Sequence, residues 1–424
     1  MPAKRKRTRT PLAILDQNRL ASSHVATSRK RQRRTNEDAN IPAPTDIHTT
    51  QSLWSAVSRH TRIMSDRQTR SQSERKKKSV GQSNSSAATV TAADSIASSR
   101  PRPLRPHNPV LFKNCILDPR HITIDACVRP SLPPYAHFKT EHPDGPYRAL
   151  PNFDHAQVFL DIENLDIGAI AKEYACMRTN RLCETEFRTF ATETFFRGEK
   201  RSSDPPTDRK WRSERMLEFV CAPADDAHWY APPVIPQQDK PIPPRADEYS
   251  WDIRPDCAYW LSTRGLNPDY VHNVCATTYV YRNWILSPYL TIEFKREDLD
   301  NTAAETQAGT AAALALYNRF TLYAKSGSDG QGLLDEVVHY AMVFTGPDYT
   351  IWVVRPNIST DNCWQGCTMS RLTHGDCTTE RGVVRLVQWV NEIHRWGLGK
   401  HATGVEIHVK MLLQSYGVEV SLLE

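Results

Sequence analysis

The chain has 424 residues, 39% of them apolar, a share below that of a fully globular chain. Its net charge of +6 hides two regions of opposite sign: residues 1–100 carry 20 Lys/Arg against 7 Asp/Glu (+13), and the rest carry 34 against 41 (−7). Ten scattered cysteines are too sparse for a disulfide scaffold, no apolar run is long enough to span a membrane, and no apolar stretch follows the first basic residues as in a secretory signal, so a reduced, intracellular protein is expected.

Residues 1–107 read as a disordered basic tail, since Ser, Thr, Arg, Lys, Gln and Ala cannot bury enough surface to offset chain entropy. Three clusters punctuate it: Lys4-Arg5-Lys6-Arg7, Arg29-Lys30-Arg31 with Arg33 and Arg34, and Arg75-Lys76-Lys77-Lys78. Runs of this kind suit a nuclear import receptor or the phosphates of nucleic acid, so nuclear localisation is expected; a merely solvated tail is the plainer reading.

A globular domain is expected over residues 108–424, with a core at about 180–355 and a helical extension over 379–424. Apolar spacing predicts a helix across 164–196 and a strand at 216–221, followed by a Pro-rich loop across 222–249. Strands are expected at 257–261, 277–286 and 289–295, then an Ala-rich helix over 302–323. Residues 339–354 read as a hairpin turning at Thr345-Gly346-Pro347-Asp348. Val383, Val384, Leu386, Val387, Val390 and Ile393 share one face of a helix over 379–396, with Gly397 and Gly399 as its stop; Trp389 and Trp396 read as core.

The chemistry sits on two of these strands. Asp256, in Arg254-Pro255-Asp256, opens one, and Glu293-Phe294-Lys295 closes another. Alternate residues of a strand share a face, so Glu293 and Lys295 point together from an otherwise apolar run, while Phe294 points into packing. Two charges on a strand of that kind require an explanation. Two carboxylates meeting on neighbouring strands offer the oxygen donors that Mg²⁺ or Mn²⁺ takes, with an ammonium group able to stabilise developing charge. The plainer reading is a structural ion pair.

Asp256, Glu293 and Lys295 resemble the signature of the PD-(D/E)xK superfamily, the restriction-endonuclease-like nucleases, and wording such as PDCAYWL, PYLTIEFKRED and VNEIHRWGL resembles an uncharacterised fungal family related to it. The resemblance implies an α/β (α+β) fold: an αβββαβ core whose central mixed sheet is flanked by helices. It also implies metal ligation by Asp256 and Glu293, assistance by Lys295, and hydrolysis of a phosphodiester in DNA or RNA. By the same resemblance Gln307 sits where some members place a Gln, and Glu186 is the candidate acid on the first helix, with Glu193 behind it; an exposed helical carboxylate is the plainer reading of either. Arg254, Arg264, Arg282 and Arg296 are candidates for a basic groove.

Two motifs have plainer accounts beside the chemical one. Thr302 and Glu305 form a helix capping box. Cys363, Cys367, His374 and Cys377 are four potential zinc ligands, yet their spacing and apolar neighbours equally suit packed thiols. Three functions follow: a Mg²⁺-dependent nuclease, a catalytically silent nuclease-like binding module, or a scaffold whose acidic surface meets basic partners.

Overall fold

Eight strands hydrogen-bond into one mixed sheet in the computed structural model, which describes residues 108–127, 133–139, 153–200, 208–236, 249–267, 270–297, 301–327 and 334–420. The chain divides between Ala97 and Ser98, and the described residues belong to the second unit. The basic clusters lie outside the described residues.

The strands are β1 (Ile122–Asp125), β2 (Ser213–Leu217), β3 (Cys257–Ser262), β4 (Val280–Tyr281), β5 (Ile285–Lys295), β6 (His339–Thr345), β7 (Asp348–Ile358) and β8 (Trp364–Asp376). Their order is β1-β8-β7-β6-β5-β3-β2, with β4 paired to β5; β1 with β8 and β5 with β6 run parallel, the other pairs antiparallel. Five long helices flank the sheet: α1 (Ile167–Thr179), α2 (Glu184–Thr194), α3 (Asn301–Lys325), α4 (Glu380–Trp396) and α5 (Ala402–Ser415).

The sheet has two apolar faces, as a sheet covered by helices on both sides requires. Ala258, Trp260, Ala341, Val343 and Trp352 pack with α3 on one. Tyr259, Leu290, Ile292, Phe294, Tyr340 and Met342 pack with α1, α2 and α4 on the other. Buried nearly all round, α3 has the small residues that let it lie close: a Cβ on Gly309 would sit 3.2 Å from Ile124 and from Met369.

Four expectations need correction. The helix over 164–196 is two helices, because Arg181 turns left-handed (φ 52°) and Cys183 restarts the chain as the cap of α2. The strand expected at 277–286 survives only as β4 and the first residues of β5, whereas the one expected at 289–295 begins earlier, since β5 passes through Pro288 where its register with β3 shifts; a bulge tolerates a residue with no N–H to give. Gly397 and Gly399 do not stop α4, which winds through a five-residue π-turn into α5; Gly397 is required because a Cβ there would lie 2.6 Å from the Tyr289 ring. Helix α3 begins at Asn301, which puts Thr302 inside its first turn.

The hairpin of β6 and β7 turns where expected, with Gly346 at φ 59°. Thr379 caps α4, its hydroxyl accepting from the Gly382 N–H at 3.1 Å, and Trp389 and Trp396 are buried. Strands β1 and β8 carry no strong alternating pattern and were not expected.

Candidate active site: an acid pair at a strand end

Register brings the predicted triad together. Cys257 pairs with Ile292 across the antiparallel β3/β5 ladder, so Asp256, one residue before β3, arrives beside Glu293. One Asp256 carboxylate oxygen, Oδ2, accepts the backbone N–H of Phe294 at 2.8 Å. Its carboxylate lies close enough to the Glu293 carboxyl to raise the Glu293 pKa. Lys295 Nζ lies 3.7 Å from Glu293 Oε2 and donates to the Phe294 carbonyl at 2.8 Å.

Glu293 is only 3% exposed, on the sheet face covered by α3. Burial pushes its carboxyl well above the usual carboxylate range, Asp256 pushes the same way, and Lys295 opposes both. In this low dielectric Glu293 therefore favours its protonated form.

The donors suit a hard ion. Among the described residues no group of three or more His, Cys, Asp and Glu is placed to hold a metal. Mg²⁺, however, is commonly held by one or two carboxylates and keeps several waters, which is what Asp256 and Glu293 provide.

The remaining candidates fall elsewhere. Glu186 is exposed and its carboxylate accepts the Cys183 N–H at 3.1 Å, so it closes the cap of α2. Glu193 is also exposed. Gln307 is half-buried on α3 and makes no hydrogen bond to the triad among the described residues. The expected basic groove divides in two: Arg254 and Arg296 lie at the triad end of β3 and β5, whereas Arg264 follows the other end of β3 and Arg282 precedes the start of β5. Arg264 lies 4.0 Å from Glu214, and Arg282 stacks on Tyr281. The zinc set also separates: Cys367 is buried on the α3 face, Cys377 on the opposite face, and Cys363 and His374 are exposed.

Sequence reasoning missed three neighbours. Arg188, on α2, donates from Nη1 to Asp256 Oδ1 at 3.1 Å and to Glu218 Oε1 at 2.6 Å. Tyr249 lies near enough to Glu293 for that acid to raise its hydroxyl pKa further, after burial and Asp252. No local pattern marks any of these three, because each reaches the site across a long loop or from another element.

No protein-family model, no curated protein and no solved structure matches the chain. Among the described residues no helix is long and apolar enough to cross a membrane.

Proposed function

We propose that the chain is a metal-dependent phosphodiesterase of restriction-endonuclease-like build, acting on nucleic acid through Asp256, Glu293 and Lys295. One observation carries the reading: register sets Asp256, one residue before β3, beside the buried Glu293 of β5, with Lys295 Nζ 3.7 Å from Glu293 Oε2. The order of elements supports it. Helix α2 is followed by antiparallel β2, β3 and β5, then by α3 and by β6, which is parallel to β5.

In this reading Asp256 and Glu293 hold Mg²⁺ or Mn²⁺. A bound divalent ion supplies polarisation of a phosphate oxygen and lowers the pKa of a water. The Phe294 N–H fixes the Asp256 carboxylate, and Lys295, 17% exposed, places a positive charge where negative charge builds up. The basic tail adds contact with phosphates away from the site and binds a nuclear import receptor.

Purified full-length protein should cleave single- or double-stranded DNA or RNA in Mg²⁺ or Mn²⁺, and Asp256→Asn and Lys295→Ala should lose that cleavage. Equal cleavage by wild type and both variants would expose a contaminant and remove the reading. A fluorescent fusion should leave the nucleus when both Lys4-Arg5-Lys6-Arg7 and the Arg29–Arg34 cluster become alanine; a fusion that stays would refute the import assignment.

The burial of Glu293 and the Arg188–Asp256 ion pair favour a second reading, a catalytically silent binding module in which the triad is structural. The two part on one measurement: a silent module gains no thermal stability from Mg²⁺ or Mn²⁺.

A further inference from the structure

The geometry points to Arg188 as the residue that takes hold of a substrate phosphate beside the acid pair, an inference that rests on the phosphodiester reading above. Helix α2 packs Phe187 and Ala191 into the core on the face away from α3, which fixes where Arg188 can reach. From there its guanidinium extends to the triad end of the strands and contacts Glu218 and Asp256 through Nη1 alone.

Nε and Nη2 of Arg188 have no protein acceptor among the described residues, and neither atom is among the buried unpartnered ones, so both reach solvent. The side chain is 27% exposed. Two carboxylates thus set the plane of the guanidinium while its other N–H edge stays uncommitted. That edge is a planar fork suited to two non-bridging oxygens of a phosphate.

Arg178, on α1, shows what a purely structural arginine looks like nearby. Its three nitrogens make ion pairs with Glu297 (3.0 Å), Asp348 (2.7 Å) and Asp376 (3.2 Å), leaving no free edge. Lys295 gives one donor to the Phe294 carbonyl and lies 3.7 Å from Glu293, but as a point charge it offers no planar fork. Arg188 contacts the acid pair and keeps such a fork for an incoming anion, and Glu218 acts as its positioning residue.

The test is equilibrium binding of a fluorescent thymidine dinucleotide to the full-length chain in Mg²⁺. A single phosphodiester keeps the tail's contribution small, since that contribution grows with the number of phosphates neutralised. Arg188→Ala should weaken binding about tenfold, the scale of one charge-assisted hydrogen-bonding group. Arg188→Lys should recover only part of the loss, because it restores charge without the fork, and Glu218→Gln should weaken binding less than Arg188→Ala. Unchanged affinity in Arg188→Ala and Arg188→Gln, even with a lowered Tm, would make the contact a structural ion pair and overturn the inference. So would a wild type that binds no dinucleotide. A wild type that cleaves nothing but loses affinity on Arg188→Ala would remove the hydrolytic reading and leave the phosphate site standing.

Discussion

The two ends of β5 bury polar groups in opposite ways. From Ser287 to Thr291 neutral groups partner one another: Tyr289 bridges Ser213 (2.6 Å) and His394 Nδ1 (2.8 Å), Ser287 meets His401 (3.1 Å), and Thr291 meets His339 (3.3 Å). Close by, Arg319 donates to His408 at 2.9 Å. At its end, Glu293 faces Asp256 under Lys295 and Arg188. Burial drives each histidine toward its neutral form, in which one ring nitrogen still makes a hydrogen bond, while His394 Nε2, His401 Nδ1 and His408 Nε2 are buried without a partner. Burial also drives Glu293 toward its neutral form, but beside a second carboxylate and two cations. One end buries neutral groups; the other buries charge.

The largest effect should come from the acid end. Asp256→Asn and Lys295→Ala should each lower Mg²⁺-dependent cleavage by about 100-fold or more, the scale of removing one electrostatic stabiliser. A smaller loss, measured as initial rate against a labelled substrate, would make that end structural like its counterpart.

Glu293→Gln separates function from stability. In the folded chain Glu293 keeps its proton where the unfolded chain, with its ordinary value of 4.5, has lost it, so stability falls as pH rises above that value. The substitution should therefore raise Tm in EDTA at pH 7.5, by about 3 °C, while abolishing the gain from Mg²⁺. In wild type that gain should reach about 2.7 kcal/mol when the ion is present at a hundred times its Kd. A lowered Tm would contradict a protonated Glu293, and a Mg²⁺ gain that survives in the variant would contradict its role as a ligand.

The histidine end should respond to acid instead. His339, His394 and His408 are held at about 3 and His401 well below its usual value, all mainly by burial. The unfolded chain takes up protons below about pH 6.5 that the folded chain refuses, so stability present at neutral pH is lost as pH falls toward 3. Calorimetry between pH 6.5 and 5 should show Tm falling, with a slope of up to about 1.4 kcal/mol per pH unit for each ring. His394→Gln should make that slope shallower; an unchanged slope would show that other groups set it.

The smallest effect is expected at the cysteines. A zinc chelator should leave Tm unchanged, since Cys367 and Cys377 lie on opposite faces of the sheet. A Tm drop reversed by added Zn²⁺ would mean a site these positions do not form.

Much of the candidate site could be read along the chain. Tyr289-Leu290-Thr291-Ile292-Glu293-Phe294-Lys295 declares a buried strand with two charges on one face, because alternation is a local property of an extended backbone. The Ala-rich α3 and the amphipathic α4 were legible for the same reason. Arg188 was not: it lies 68 positions from Asp256, and a helical arginine is by itself an ordinary exposed residue. Strands β1 and β8 were not legible either, since what marks them is their neighbours in the sheet.

Local alternation and turn chemistry thus settled which segments extend or coil and which residues could carry charge into the core. Contacts between distant segments decided that Asp256 meets Glu293, that Arg188 rather than Glu186 reaches them, and that the cysteines part company. The cause is physical: the direction of a side chain follows from its own backbone, whereas its partner depends on the register and packing of strands and helices joined only after the chain has closed on itself.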